Sequence, residues 1–109
     1  MFSFLRRPTP EITVEELDEL RRDRTVRVID VREDWEFKRG HLAGSIHVPA
    51  KELPARAAKL PRTVRYAVIC QSGSRSRGAT DFLVEQGFEG AVSVHGGIGA
   101  WARSGRSFE

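Results

Sequence analysis

A chain of 109 residues, 39% hydrophobic and 30% charged, has the length and composition of one folded domain rather than of a disordered protein. Its mean hydropathy is −0.39, and no apolar run approaches the ~18 residues of a membrane span. Residues 1–5 (MFSFL), which are mostly apolar, precede Arg6 and Arg7, the reverse of the order in a signal peptide. We therefore predict a single-domain cytoplasmic protein with no membrane partner.

The basic side chains are concentrated in one segment. Within a net charge of +3, residues 51–77 hold seven basic side chains against one acid, Glu52. This segment contains Cys70 and a single aromatic residue, which disfavours base stacking and nucleic acid as a partner. It predicts a small anionic substrate or an acidic protein partner. For Arg56 and Lys59, a solvated surface without function is an equal alternative.

Two prolines and no periodicity mark residues 1–11, so we predict an N-terminal arm at residues 1–10 and one domain at residues 11–109. Thr13 and Glu16 have the spacing of a capping box. In chain order, the pattern then predicts a helix ending near residue 22, a strand at 26–31, a helix at 33–39, a brief apolar run at 46–48, a helix at 51–60, a strand at 66–70, a helix through 79–83 that ends at residue 87, a strand at 91–94 and a helix at 98–103.

Strands that alternate with helices predict an α/β fold, with a mostly parallel central sheet and helices on both faces. In such sheets, ligands bind beyond the carboxyl ends of the strands. Asp30 and Cys70 both lie where a predicted strand ends, so we expect them at the same edge. One cysteine and three scattered histidines have no metal-ligand spacing, and we predict neither a metal site nor a cofactor.

The chain around Cys70 has the features of a nucleophile site. A lone cysteine is most often a small buried hydrophobic residue, but here it ends a strand and precedes a short loop that leads into a helix. The residues of this loop are Gln71, Ser72, Gly73, Ser74, Arg75 and Ser76. Gly73 can adopt a positive φ, so that backbone amides converge into an anion-binding nest. Such amides, and a cation such as Arg75, lower the pKa of a thiol, and we predict that Cys70 reacts as a thiolate.

The sequence CQSGSRS at residues 70–76 resembles the active-site loop of the rhodanese family, usually written CxxGxRS. Three further segments resemble that family's IDVR, GHIxGA and GGxxxW elements in the same order. They are IDVR at 29–32, GHLAGS at 40–45 and GGIGAW at 96–101. The resemblance covers residues 11–105, nearly the whole chain.

The resemblance implies a single rhodanese-like domain that acts as a sulfurtransferase. In that reaction, Cys70 takes a sulfane sulfur from thiosulfate or a persulfide donor and holds it as a persulfide. The sulfur then passes to a thiophilic acceptor such as cyanide, a thiol or a partner protein. Residues 71–76 form the substrate-binding loop, in which Arg75 binds the anionic group of the donor or the leaving sulfite.

The length and charge of the loop help to distinguish sulfur transfer from other functions of related domains. Four residues separate Cys70 from Arg75, whereas relatives that act on phosphate or arsenate have one more, which disfavours a small phosphatase or arsenate reductase. Three loop residues are neutral, namely Gln71, Ser72 and Ser74, whereas efficient thiosulfate-using relatives tend to have further basic residues in this loop. A persulfide carrier that hands sulfur to a specific protein partner is therefore a second possible function. Non-catalytic regulatory modules of the family commonly lack the cysteine, and Cys70 therefore argues against that function.

Four other polar residues have less specific signals. We predict that Asp30 is a buried hydrogen-bond acceptor rather than a general base. Arg32 is predicted either to guide anions or to pair with an acidic neighbour. His41 and His95 are predicted to be buried hydrogen-bonding residues, because sulfite leaves without a general acid.

Overall fold

Five short parallel strands form one sheet in the computed structural model, which describes residues 8–109. The strands are β1 (Glu11–Ile12), β2 (Val26–Asp30), β3 (Ile46–His47), β4 (Arg65–Ile69) and β5 (Val92–Val94). Their order across the sheet is β1-β5-β4-β2-β3, so β4 is central and lies between β2 and β5. Residues 1–7, most of the predicted N-terminal arm, lie outside the described residues.

Residues 8–109 also form five α-helices. These are α1 (Val14–Arg22), α2 (Asp34–Arg39), α3 (Leu53–Ala57), α4 (Ser74–Glu85) and α5 (Gly97–Arg103). The predicted capping box begins α1: the Thr13 hydroxyl accepts the Glu16 amide, and the Glu16 carboxylate accepts the Thr13 amide. None of these helices has the length and apolar character needed to span a membrane.

The helices cover both faces of the sheet, as predicted. On one face, Leu17 of α1 and Trp101 of α5 are buried in a cluster with residues of β2 and β4. On the other face, Leu53 of α3 and Leu83 of α4 pack with the alternate residues of the same strands. Because both faces are covered, the central strand is apolar at every residue from 66 to 69.

Two elements differ from the prediction. The sequence pattern does not predict β1, which pairs in parallel with β5 through Glu11 opposite Ser93. A strand of two residues has no period in the sequence, and its pairing depends on the open edge of β5. The helix predicted at 51–60 is a 3-10 turn, Ala50–Glu52, followed by the short α3. Beyond Ala57 the chain turns through tighter bonds, with the Leu60 amide donating to the Ala57 carbonyl.

Candidate active site

The carboxyl ends of three neighbouring strands bring the candidate residues together. Asp30 ends β2, Cys70 follows β4, and the Gly96-Gly97 turn follows β5. The turn holds the Cys70 loop through its backbone: the Ile98 amide donates to the Cys70 carbonyl at 2.9 Å. Cys70 therefore lies at the middle of the edge where parallel sheets of this kind bind ligands.

Backbone amides surround the sulfur of Cys70. The amides of Gly73 and Ser76 donate to Sγ at 3.1 and 3.3 Å, and the Ser76 hydroxyl lies 3.5 Å from it. Gly73 has a φ of +106°, a conformation that favours glycine and that turns the loop amides toward the sulfur. Cys70 is 1% exposed. The loop thus encloses one sulfur atom with fixed donors.

These donors favour the charged form of the sulfur. Burial raises the pKa of the Cys70 thiol, but hydrogen bonds from the Ser76 hydroxyl and from the amides of Ser76, Gly73 and Ser72 outweigh it, so the net pKa is lowered. The N-terminus of α4, which begins at Ser74, adds partial positive charge at the same point. Within residues 8–109, the hydrogen bonds to the sulfur come from neutral donors, and Arg75 acts on it only through its charge.

Arg75 is paired with Glu36. Its two terminal nitrogens donate to the two carboxylate oxygens of Glu36 at 2.7 and 2.9 Å, which joins α4 to α2. The Arg75 side chain is 39% exposed and that of Glu36 is 10% exposed. Sequence reasoning identified Arg75 but missed Glu36, whose only signal was an acidic residue within the helix predicted at 33–39.

Acid is expected to weaken this pair. The hydrogen bonds from Arg75 outweigh the desolvation of Glu36 and hold its pKa at about 2, below the usual 4.5. A carboxylate with a depressed pKa stabilises the fold above 4.5, and this stabilisation is lost as the pH falls toward about 2. We expect the free energy of unfolding in urea to drop by about 2 kcal/mol over this interval, since water screens the half-exposed guanidinium.

Two variants test this assignment. Glu36→Gln should lower the free energy of unfolding at neutral pH and flatten its dependence on pH between 4.5 and about 2. Glu52→Gln is the matched control, because the Glu52 side chain is 48% exposed and only faces Arg56 at 3.6 Å. Its effect should stay within about 0.5 kcal/mol. A wild-type pH profile in Glu36→Gln would contradict the pair as the source of acid sensitivity.

Asp30 and Arg32 form a buried pair beside the loop. Asp30 is fully buried, and its carboxylate accepts the Arg32 amide and guanidinium at distances from 2.9 to 3.1 Å. Arg32 also donates to the Gly40 carbonyl at 2.7 Å and to Gln71 Oε1 at 3.4 Å. Arg32 was predicted either to guide anions or to pair with an acidic neighbour, and in the structure it pairs with Asp30.

His41 and His95 lie in different surroundings. His41 is partly buried; its ring stacks on Phe37, and its Nδ1 lies 2.9 Å from the Phe37 carbonyl oxygen. The His95 side chain is 70% exposed and lies 3.7 Å from Glu11. The prediction of a buried His95 is wrong, because β5 ends at Val94 and the chain turns outward.

An open cavity of about 350 Å³ adjoins the loop at Gln71. Two of its lining side chains are exposed aromatic rings, with Trp35 61% exposed and Phe108 40% exposed. The lining residues are Arg32, Trp35, Glu36, Arg39, Gly40, Gln71, Ile98 and Phe108. No group of side chains within residues 8–109 has the arrangement of a metal site.

Sequence reasoning also missed the support that β5 provides. Ser93 is fully buried, and its hydroxyl lies 2.8 Å from that of Ser76. Gly97 has a φ of +57° and packs directly on the Cys70 carbonyl. The available signals were a polar residue within an apolar strand and a glycine pair after it, and neither signal names the contacting residue.

The chain is similar to known proteins over most of its length. A "Rhodanese-like domain" family model matches residues 13–104. The putative sulfurtransferase YtwF of Bacillus subtilis (strain 168) is 37% identical over 84 residues, which cover 77% of this chain and 81% of the relative. The putative sulfur carrier protein YrkF of the same organism is 33% identical over 93 residues, which cover 84% of this chain. The aligned region spans only 50% of YrkF.

The fold is shared with solved structures. A rhodanese-related protein from Thermoplasma volcanium has a TM-score of 0.86 and 37% identity, covering 92% of this chain and 97% of that one. The family model and this structure agree with the four segments that resemble the rhodanese family in the sequence. The resemblance is confirmed, and the chain belongs to the family of rhodanese-like domains.

Proposed function

We propose that this protein is a sulfurtransferase in which Cys70 carries the sulfur. The observation that supports this most directly is the position of Cys70 Sγ under the amides of Gly73 and Ser76, where its pKa is lowered. A thiolate is the nucleophile that takes up a sulfane sulfur. The four-residue spacing to Arg75 favours a single sulfur over a tetrahedral oxyanion.

In the first half-reaction, the Cys70 thiolate attacks the outer sulfur of thiosulfate or of a persulfide donor. A bond forms between the two sulfur atoms, the bond within the donor breaks, and sulfite or the donor thiolate leaves with the electron pair. No proton is needed for sulfite to leave. The terminal sulfur of the persulfide is then the anion that the loop amides, with Ser72 and Ser74 around them, stabilise.

In the second half-reaction, an acceptor attacks the terminal sulfur and Cys70 leaves as a thiolate. Cyanide, a thiol or a protein partner can serve as the acceptor, and the covalent intermediate implies ping-pong kinetics. The cavity beside Gln71 supports an acceptor larger than cyanide, because it adjoins the loop and is lined in part by the exposed rings of Trp35 and Phe108. The paired Arg32 and Arg75 position the loop from either side.

Intact-mass spectrometry tests the proposal. We expect reduced protein to gain the mass of one sulfur atom from thiosulfate or a persulfide donor and to lose it to cyanide, with thiocyanate as product. Because Cys70 is the only cysteine, alkylation with iodoacetamide beforehand should block the gain.

Failure to load sulfur from either donor would contradict the proposal. Turnover of a phosphate ester or of arsenate by the same protein would favour the oxyanion alternatives. The absence of all three activities would favour a regulatory module.

A further inference from the structure

A chain of two buried hydroxyls leads from β5 to the sulfur. Ser93 Oγ lies 2.8 Å from Ser76 Oγ, which in turn lies 3.5 Å from Cys70 Sγ and 3.1 Å from the Gly73 carbonyl oxygen. Ser76 and Ser93 are both fully buried. No other hydrogen bond is present for the Ser93 hydroxyl within residues 8–109.

The number of hydrogens limits how this chain is arranged. The Ser76 hydroxyl has one hydrogen and faces three oxygen or sulfur partners. When Cys70 is a thiol, its S–H donates to Ser76 Oγ, and the Ser76 hydrogen goes to the Gly73 carbonyl. When Cys70 is a thiolate, the Ser76 hydrogen must turn to the sulfur, while the Gly73 carbonyl keeps the Arg77 amide at 3.2 Å. In the thiolate state, the Ser76 hydrogen is committed to the sulfur, so the bond between the serines forms only if Ser93 donates. In the thiol state, Ser93 is likewise the donor when Ser76 donates to the Gly73 carbonyl.

We propose that Ser93 is a positioning residue for the nucleophile: its hydroxyl donates to Ser76 Oγ and directs the Ser76 hydrogen to the anionic Cys70 sulfur. Donation from Ser93 also polarises the Ser76 hydroxyl, and hydrogen bonds in such a chain strengthen one another at low local dielectric. The inference concerns the ionisation of Cys70, and it rests on the proposed function only for its catalytic consequence.

The charged groups near the loop are paired with other side chains, and Arg75 acts on Cys70 only through its charge. Arg75 is held by Glu36, and Arg32 is held by Asp30. His95 follows β5 but is exposed beside Glu11. The elements around the loop carry several ionisable side chains. Those nearest its ends in sequence or in the pairs described above are Glu36 on α2, Arg75 and Arg77 on α4, Asp30 and Arg32 at the end of β2, and Glu11 and His95 near β5; α2 also carries Asp34, Lys38 and Arg39, and α4 also carries Asp81 and Glu85.

Titration of the Cys70 thiolate tests the proposal. The ultraviolet absorbance of the thiolate is followed against pH, and the signal of Cys70→Ser is subtracted. We expect Ser93→Ala to move the midpoint to higher pH and to slow alkylation by iodoacetamide, at a pH below the midpoint, by about 3- to 10-fold. Ser93→Thr keeps the hydroxyl and should stay near the wild-type midpoint.

Thr80→Val is the matched control. Thr80 lies on α4, four residues after Ser76, and its fully buried hydroxyl has no hydrogen-bond partner in the described part of the chain. This variant should titrate as wild type does. A wild-type midpoint in Ser93→Ala, or an equal displacement in Thr80→Val, would overturn the proposal. Neither readout requires sulfur transfer, so failure of the proposed function in the mass experiment remains a separate result.

Discussion

Replacing Cys70 with serine is expected to abolish sulfur loading and to lower the rate of thiocyanate formation at least about 1000-fold. A serine hydroxyl stays protonated at neutral pH, and the Gly73 and Ser76 amides that stabilise a thiolate do not make it a comparable nucleophile. The rate with thiosulfate and cyanide, and the intact mass after thiosulfate, measure the two effects.

The fold should persist in this variant. A serine oxygen accepts the same amide hydrogen bonds as the sulfur, so we expect the free energy of unfolding to change by no more than about 1 kcal/mol. Thr80→Val, a near-isosteric change at another fully buried position, is the control and should retain transfer. Sulfur loading on folded Cys70→Ser would show that another group carries the sulfur and would refute the role of Cys70.

The second large effect is expected for Gly97→Ala. Gly97 has a φ of +57°, and a Cβ at this position would lie 2.3 Å from the Cys70 carbonyl oxygen and 2.8 Å from backbone atoms of Gln71. These contacts are with backbone, so the loop itself must move to relieve them. We expect a loss of about 3–5 kcal/mol in the free energy of unfolding, together with slower sulfur loading by the protein that remains folded.

Gly78→Ala is the matched control for this change. Gly78 lies within α4, and a Cβ at this position meets no atom within 4 Å apart from its chain neighbours and the backbone of its own helix. Alanine is the better helix former, so the variant should be more stable than wild type by about 0.5–1 kcal/mol. Urea unfolding of both variants provides the comparison. A loss in Gly97→Ala below about 1 kcal/mol would contradict the close packing of the turn on the loop.

Local patterns in the sequence predicted much of the fold. The capping box at Thr13 begins α1, and the apolar segment before Cys70 forms the central strand. The small residues after Cys70 predicted a loop that turns through Gly73 into α4, because residue type controls backbone conformation over a few neighbouring positions. The ordered motifs predicted the family because each motif is a short contiguous segment that can be recognised in the sequence alone.

The partners of the site residues could not be obtained in this way. Arg75 and Glu36 are 39 residues apart in the chain, and Ser76 and Ser93 are 17 apart. Both pairs exist because α2 and β5 are placed against opposite sides of the loop that follows β4. The pattern also could not distinguish an exposed His95 from a buried one, because one residue beyond a strand has no periodicity.

The sequence by itself therefore determined the strand, loop and helix around Cys70 and the residue types that can hold a thiolate. Only the tertiary structure decided which side chains hold that loop: Glu36 on Arg75, Ser93 on Ser76 and Gly97 on the Cys70 carbonyl. The physical reason is that backbone conformation depends on neighbouring residues, whereas side-chain pairing depends on the order of the strands across the sheet. In this chain, that order puts β4 between β2 and β5.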